Sequence, residues 1–127
     1  MAYAGFHRGK RTLTWTLNAK PTTGDGGLVW RAAGDAGVVL LLNVEATYKL
    51  YSRSGTYTAI TVVSGTPVAP ADGDIVTITD DGVRITVSVN GGASVVYDTQ
   101  VQGGAYIGFR NSAGGGMRHD SIVVSDT

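Results

Sequence analysis

Residues 74–98 read DIVTITDDGVRITVSVNGGASVVYD, and this stretch limits the fold more than any other in the chain. Apolar and polar residues alternate along it, with breaks at Asp81-Gly82 and at Asn90-Gly91-Gly92. A period of two belongs to a strand with one buried and one wet face, whereas a helix repeats near 3.6. The breaks carry Asn, Asp and Gly, which reach the positive φ of tight hairpins at least cost. The segment is therefore a pair of linked hairpins. A two-residue Asp81-Gly82 loop sets Ile78 opposite Ile85 and Val76 opposite Val87, with polar facing polar between them. At the second break a three-residue Asn90-Gly91-Gly92 loop turns Ala93, Val95 and Tyr97 inward. A two-residue loop there would put Ser94, Val96 and Asp98 on the apolar face, so the longer loop is preferred.

The same period runs through the rest of the chain, and no window holds a helical repeat. The run "RTLTWTLN" places Leu13, Trp15 and Leu17 on one face and Thr12, Thr14 and Thr16 on the other. "GLVWRA", "VVLLL", "TYKLYSR" and "YTAITVV" follow it, and "YIGFR" and "RHDSIVVS" come after the quoted hairpins. Pro67 and Pro70 in "TPVAPADG" exclude a central strand and mark the one long connection. Nine or ten short strands separated by turn residues predict an all-β antiparallel sandwich or barrel. Trp15 and Trp30 share faces with leucines and are expected in its core. Tyr48 and Tyr51 lie three apart on one strand and so face opposite sides, one buried and one exposed beside Lys49 and Arg53.

Ten basic and ten acidic side chains cancel, so neither a nucleic-acid backbone nor an anionic membrane is an expected partner. The local exception is Arg8, Lys10 and Arg11 in "FHRGKR". Residues 1–10 are expected to form an N-terminal arm, frayed or docked on a neighbour through these cations, ahead of one domain over residues 11–127. The absence of cysteine removes disulfides, thiol catalysis and thiolate metal sites. The longest apolar run, residues 38–42, falls far short of the roughly 20 residues of a membrane-spanning helix. No apolar h-region follows the basic start, so export by a Sec signal is not expected.

Chemistry is hard to assemble from what remains. Glycoside hydrolysis usually takes two carboxylates about 5 to 9.5 Å apart, and Glu45 has no other carboxylate within three residues. Asp72, Asp74, Asp80 and Asp81 flank turns, where Asp is expected for its bonds to backbone N–H groups. A Ser-His-Asp relay would rest on His119, since His7 lies in the arm, and adjacent Asp120 points to the opposite face of a strand. "NSAGGGMR" has neither the lysine nor the following helix of a phosphate loop. Calcium needs only oxygens, and Asp35, Asp72, Asp74 and Asn111 could supply them, but no spacing joins them into a site. No enzyme, cofactor or metal is therefore expected. For recognition, Tyr51 and Arg53 with Arg31 and Arg110 form a candidate surface for a glycan or another protein.

The ordered set "GGLVWRAAGDAGVVLLLN", "YKLYSRSGTYTAI", "GDIVTITDDGVRITVSVNGG" and "YIGFRNSAGGGMRHDSIVV" resembles concanavalin A-like (laminin G-like) jelly-roll domains. The similarity is to versions attached to phage tail and minor structural proteins and to secreted glycan-active bacterial proteins, and it covers about residues 11–124. It implies a concanavalin A-like jelly-roll β-sandwich. Such domains usually carry more strands before the segment matching "RTLTWTLN", so the resemblance implies either a compact version of the sandwich or a sheet edge left open, to be covered by another copy or a host protein's strand. The resemblance further implies a non-catalytic virion component, decorating a capsid or tail, with virion proteins or copies of itself as partners and host-surface glycan as a possible ligand. The alternative it leaves is an extracellular carbohydrate-binding module of a secreted protein.

Overall fold

The computed structural model describes residues 3–5, 11–19, 25–33, 36–43, 47–54, 56–81, 84–98, 106–111 and 118–126. All of the regular structure in them is β. Twelve strands follow one another: β1 (Tyr3–Gly5), β2 (Arg11–Ala19), β3 (Asp25–Ala33), β4 (Ala36–Asn43), β5 (Lys49–Ser54), β6 (Thr56–Ala59), β7 (Val62–Ser64), β8 (Ile75–Asp80), β9 (Arg84–Val89), β10 (Val95–Asp98), β11 (Tyr106–Asn111) and β12 (Arg118–Asp126). They form two antiparallel six-stranded sheets. The front sheet has the order β1-β11-β3-β4-β5-β6, and the back sheet β12-β2-β8-β9-β10-β7. This is the expected jelly-roll sandwich. Two short edge segments raise the strand number. Tyr3–Gly5, within the expected arm, pairs with β11 at the edge of the front sheet. The run "YTAITVV" divides into β6 and β7, which lie in different sheets, because the chain crosses the sandwich at Ile60 and Thr61.

The core lies between the sheets. Leu13, Trp15, Leu17, Val76, Ile78 and Ile85 from the back sheet meet Leu28, Trp30, Val38 and Leu50 from the front, all essentially without solvent contact. Each such side chain contributes roughly 1.5–3 kcal/mol by leaving water. Register aligns them in rows across the strands: Leu13 faces Ile78, which faces Val87, which faces Val95. On the other side of the back sheet Thr14 faces Thr77 and Thr77 faces Ser88, with Thr12, Thr79 and Thr86 in a parallel row. These outward positions are half-buried and uncharged.

The first hairpin differs from expectation by a slip of two residues. Ile78 faces Val87 and Val76 faces Val89. The Asp81 N–H donates to the Arg84 carbonyl at 3.2 Å, and the Arg84 N–H donates to Asp81 Oδ1 at 2.6 Å. Asp81 thus closes the ladder rather than entering the loop. Alternation could not choose between the registers, because a slip of two leaves every side chain on its own face. The second hairpin has the expected three-residue loop, with Val95 on Val87 and Tyr97 on Ile85. Asn90 (φ 53°) and Gly91 (φ 71°) both take positive φ, and the Gly92 N–H closes the turn on the Val89 carbonyl at 2.9 Å. That is the backbone a type I′ turn requires. Ala93, expected inward, is exposed because β10 begins only at Val95.

Candidate functional site

The site begins with the alternation of β5. Tyr48, just ahead of the strand, and Leu50 point into the core, while Lys49 is exposed and Tyr51 half-buried on the outer face of the front sheet. β6 folds back alongside, setting Ala59 opposite Tyr51 and Tyr57 opposite Arg53. Tyr51 and Tyr57 are diagonal neighbours on one face, close enough for aromatic side chains to meet. Their rings stand edge to face, with centroids 6.0 Å apart and planes at 84°, a geometry worth roughly 0.5–1.5 kcal/mol beyond the area it buries. The result is an aromatic corner with a lysine beside it.

The structure distributes the four candidate recognition residues across the front sheet. Tyr51 and Arg53 share β5, but Arg110 lies on β11, registered on Gly27 of β3. Three strand spacings separate β11 from β5, about 14 Å at the usual spacing. Arg31 does sit on the strand next to Arg110, as expected, but four residues further along than Gly27, roughly 13 Å away. A β-bulge between Trp30 and Ala33 interrupts the pairing there, so alternation counted from Trp30 no longer assigns Arg31 a face. The side chains of Arg31, Arg53 and Arg110 lie outside the described residues. Tyr57 is the member that reading by strands missed. The pairing of Ser54 with Thr56 puts Arg53 opposite Tyr57, a register that the expected Ser54-Gly55 join did not give. Of the candidate arm cations, Arg8 and Lys10 lie outside the described residues, whereas the backbone of Arg11 belongs to β2, in register with Asp80 on one side and Asp126 on the other.

A cleft of about 260 Å³ adjoins the aromatic corner, where the chain leaves β6 for β7. Lys49, Tyr51, Ala59, Ile60, Val62 and Pro67 line it, with Tyr48, Leu50 and Tyr97 at its base. A smaller void of about 90 Å³ lies beyond, reaching Val87, Val89 and Val95 and sharing Tyr48, Pro67 and Tyr97 with the cleft. The connection between β7 and β8 closes over this side, held where the Tyr48 N–H donates to the Val68 carbonyl at 2.9 Å.

Asp74 bonds the Ala71 backbone as expected of a turn aspartate, but it and Asp80 also have a second use that the turn reading did not include. Asp72 and Asp81 are exposed as turn residues should be, but Asp74 and Asp80 are 4% and 1% exposed. Each accepts a hydrogen bond from an aromatic side chain that packs on the other sheet. Trp30 Nε1 donates to Asp80 Oδ2 at 2.9 Å. The Tyr48 hydroxyl donates to Asp74 Oδ2 at 2.7 Å, where the Ala71 N–H also donates at 2.9 Å. Asn90 Nδ2 occupies Asp74 Oδ1 at 2.9 Å. Burial, then the bond to Asp74 and its negative charge, push the Tyr48 hydroxyl far above the ordinary tyrosine range. Burial alone raises Tyr97. Asp74 and Asp80 stand at opposite ends of β8, about 20 Å apart by strand rise, well outside the spacing of a glycosidase pair. Glu45 and His7 lie outside the described residues. No group of three or more His, Cys, Asp or Glu that could hold a metal ion occurs among the described residues.

No family model matches the chain, and no curated protein does either. Solved structures do. The chain is similar to the carbohydrate-binding module CBM66 from Bacillus subtilis, at 14% identity over 98% of this chain and 74% of the module, with a TM-score of 0.69. It is similar to the Caenorhabditis elegans galectin LEC-6 at 20% identity, covering 98% of this chain and 89% of the galectin, with a TM-score of 0.66. CG-16, a homodimeric agglutinin from chicken liver, aligns at 10% identity over 98% of both chains, with a TM-score of 0.63. Identities this low speak for the fold. The chain has the jelly-roll β-sandwich architecture of galectins and carbohydrate-binding modules.

Proposed function

We propose that this chain is a non-catalytic glycan-binding domain whose ligand rests on the outer face of the front sheet at β5 and β6. The observation that carries this is the Tyr51–Tyr57 corner beside exposed Lys49. Tyrosine rings offer apolar faces to the C–H surface of a sugar ring, and the exposed Lys49 ammonium donates to its oxygens, while the Tyr57 hydroxyl is buried and belongs to the support of the corner. The likeness to galectins and a carbohydrate-binding module supports the same reading. The virion role stands on sequence resemblance alone, and we place it second. An extracellular location or the surface of a particle would suit a glycan-binding domain equally.

A glycan array followed by titration calorimetry of the hits tests the reading. Tyr51→Ala and Tyr57→Ala are each expected to weaken binding about tenfold or more, a loss near 1.4 kcal/mol. Unchanged affinity in both variants, with the fold intact by circular dichroism, would remove this face as the site.

A further inference from the structure

We infer that the cleft beside the aromatic corner is a subsite for an apolar group attached to the sugar, so that the preferred ligands are glycosides with an aromatic aglycone. The inference rests on the glycan reading above and extends it. Three observations lead to it.

The cleft and the proposed sugar face are continuous. Lys49, Tyr51 and Ala59 belong to both, so a ring lying on Tyr51 has its substituent directed either to solvent or over Ala59 into the cleft. The chemistry changes along that path, from tyrosine and lysine to Ile60, Val62 and Pro67, over a base formed by Leu50. A free sugar would leave this apolar surface wet, whereas an aglycone would cover it. The size is suitable as well. An engineered apolar cavity of about 150 Å³ holds benzene, and this open cleft offers about 260 Å³.

The cleft is also preformed. Its base is Tyr48, 2% exposed, with its hydroxyl fixed on Asp74 at 2.7 Å and its N–H on the Val68 carbonyl at 2.9 Å. A wall held at two points does not need ordering when a ligand arrives, which spares the association part of its entropic cost. Val62 remains 37% exposed at the mouth, although the neighbouring residues Leu50 and Tyr97 are closed off.

Methyl and phenyl glycosides of glucose, galactose, mannose, N-acetylglucosamine and N-acetylgalactosamine, titrated into the full chain by calorimetry, test this. For whichever sugar binds, the phenyl glycoside is expected to bind about tenfold tighter than the methyl, the scale of burying one ring. Val62→Glu, which puts a charge at the mouth and not on the sugar face, is expected to erase that preference while leaving the methyl glycoside unchanged. Tyr51→Ala is expected to weaken both glycosides. Equal affinity for methyl and phenyl glycosides overturns the subsite and leaves the glycan reading standing. Binding of no glycoside overturns the glycan reading, and 1-naphthol then tests the cleft by itself: shifts of the Ile60 and Val62 methyl resonances would keep the cleft as an apolar site, and their absence would overturn it as well.

Discussion

The two ends of β8 carry the same residue type and do different work. At the far end Asp80 accepts from Trp30 in the closed part of the sandwich, and its surroundings, Leu13, Ile78 and Ile85, are sealed. At the near end Asp74 gathers donors from three directions, namely Tyr48, the Ala71 backbone and Asn90. Asn90 in turn grips the first residue of β8, accepting from the Ile75 N–H and donating its own N–H to the Ile75 carbonyl, both at 2.8 Å. The Asp80 end is a cross-sheet tie. The Asp74 end ties a type I′ turn, the β7–β8 connection and the base of the cleft to one carboxylate. A buried acceptor is thus used in one place to hold layers together and in another to hold the base of the cleft in shape.

The largest effect expected from breaking this comparison is at Asp80. Asp80→Leu leaves the Trp30 N–H buried without that acceptor, and about 2–3 kcal/mol of stability should be lost in urea unfolding. Glycoside affinity per folded molecule should not change, since the tie lies away from the cleft. A loss under about 0.5 kcal/mol, the range of neutral surface substitutions, would mean the bond is incidental. Asp74→Asn should cost less, about 1–2 kcal/mol, because the replacement keeps an acceptor oxygen and the Ala71 and Asn90 donors are only partly buried. Its distinguishing sign is a weaker preference for phenyl over methyl glycosides, as Tyr48 loosens. If Asp74→Asn and Asp80→Leu shift that preference equally, the two ends are not functionally distinct.

The smallest effect should come from pH. Above the ordinary tyrosine value of 10.0 the unfolded chain releases the Tyr48 proton while the folded chain keeps it. The unfolded state then binds fewer protons, so stability falls as pH rises past that value. Trp30 does not titrate, so this loss belongs to the Asp74 end, with Tyr97 adding to it through its own burial. Urea midpoints followed from pH 8 to 11.5 should decline less steeply in Tyr48→Phe than in the parent chain, and Tyr97→Phe measures the remainder. Identical slopes in the parent and Tyr48→Phe would break the assignment.

The sequence was informative wherever burial and alternation coincide. Leu13, Trp15 and Leu17 could be placed in the core because their threonine neighbours could not be, and Val95 and Tyr97 because the loop ahead of them had to contain three residues. It was silent where two arrangements satisfy the same pattern. The first hairpin is the clear case, since both registers keep Val76, Ile78, Ile85 and Val87 inward. "YTAITVV" is another: a period of two continues through a change of sheet, and nothing local distinguishes Ile60 as the crossing point. The candidate surface was half legible. Tyr51 and Arg53 share a strand, but whether Arg31 and Arg110 join them depends on how many strands lie between and on the bulge after Trp30.

What the sequence determined alone was the class of fold and the inward face of most strands, because the side-chain period is a property of the backbone and water sorts one face from the other. Tertiary structure alone decided which strands neighbour each other, which tyrosines meet, and that Asp74 and Asp80, besides flanking turns, anchor side chains of the other sheet. Their donors, Tyr48 and Trp30, lie 26 and 50 residues away in the chain. Hydrogen bonds over such separations exist only once two sheets have packed, and no local pattern encodes them.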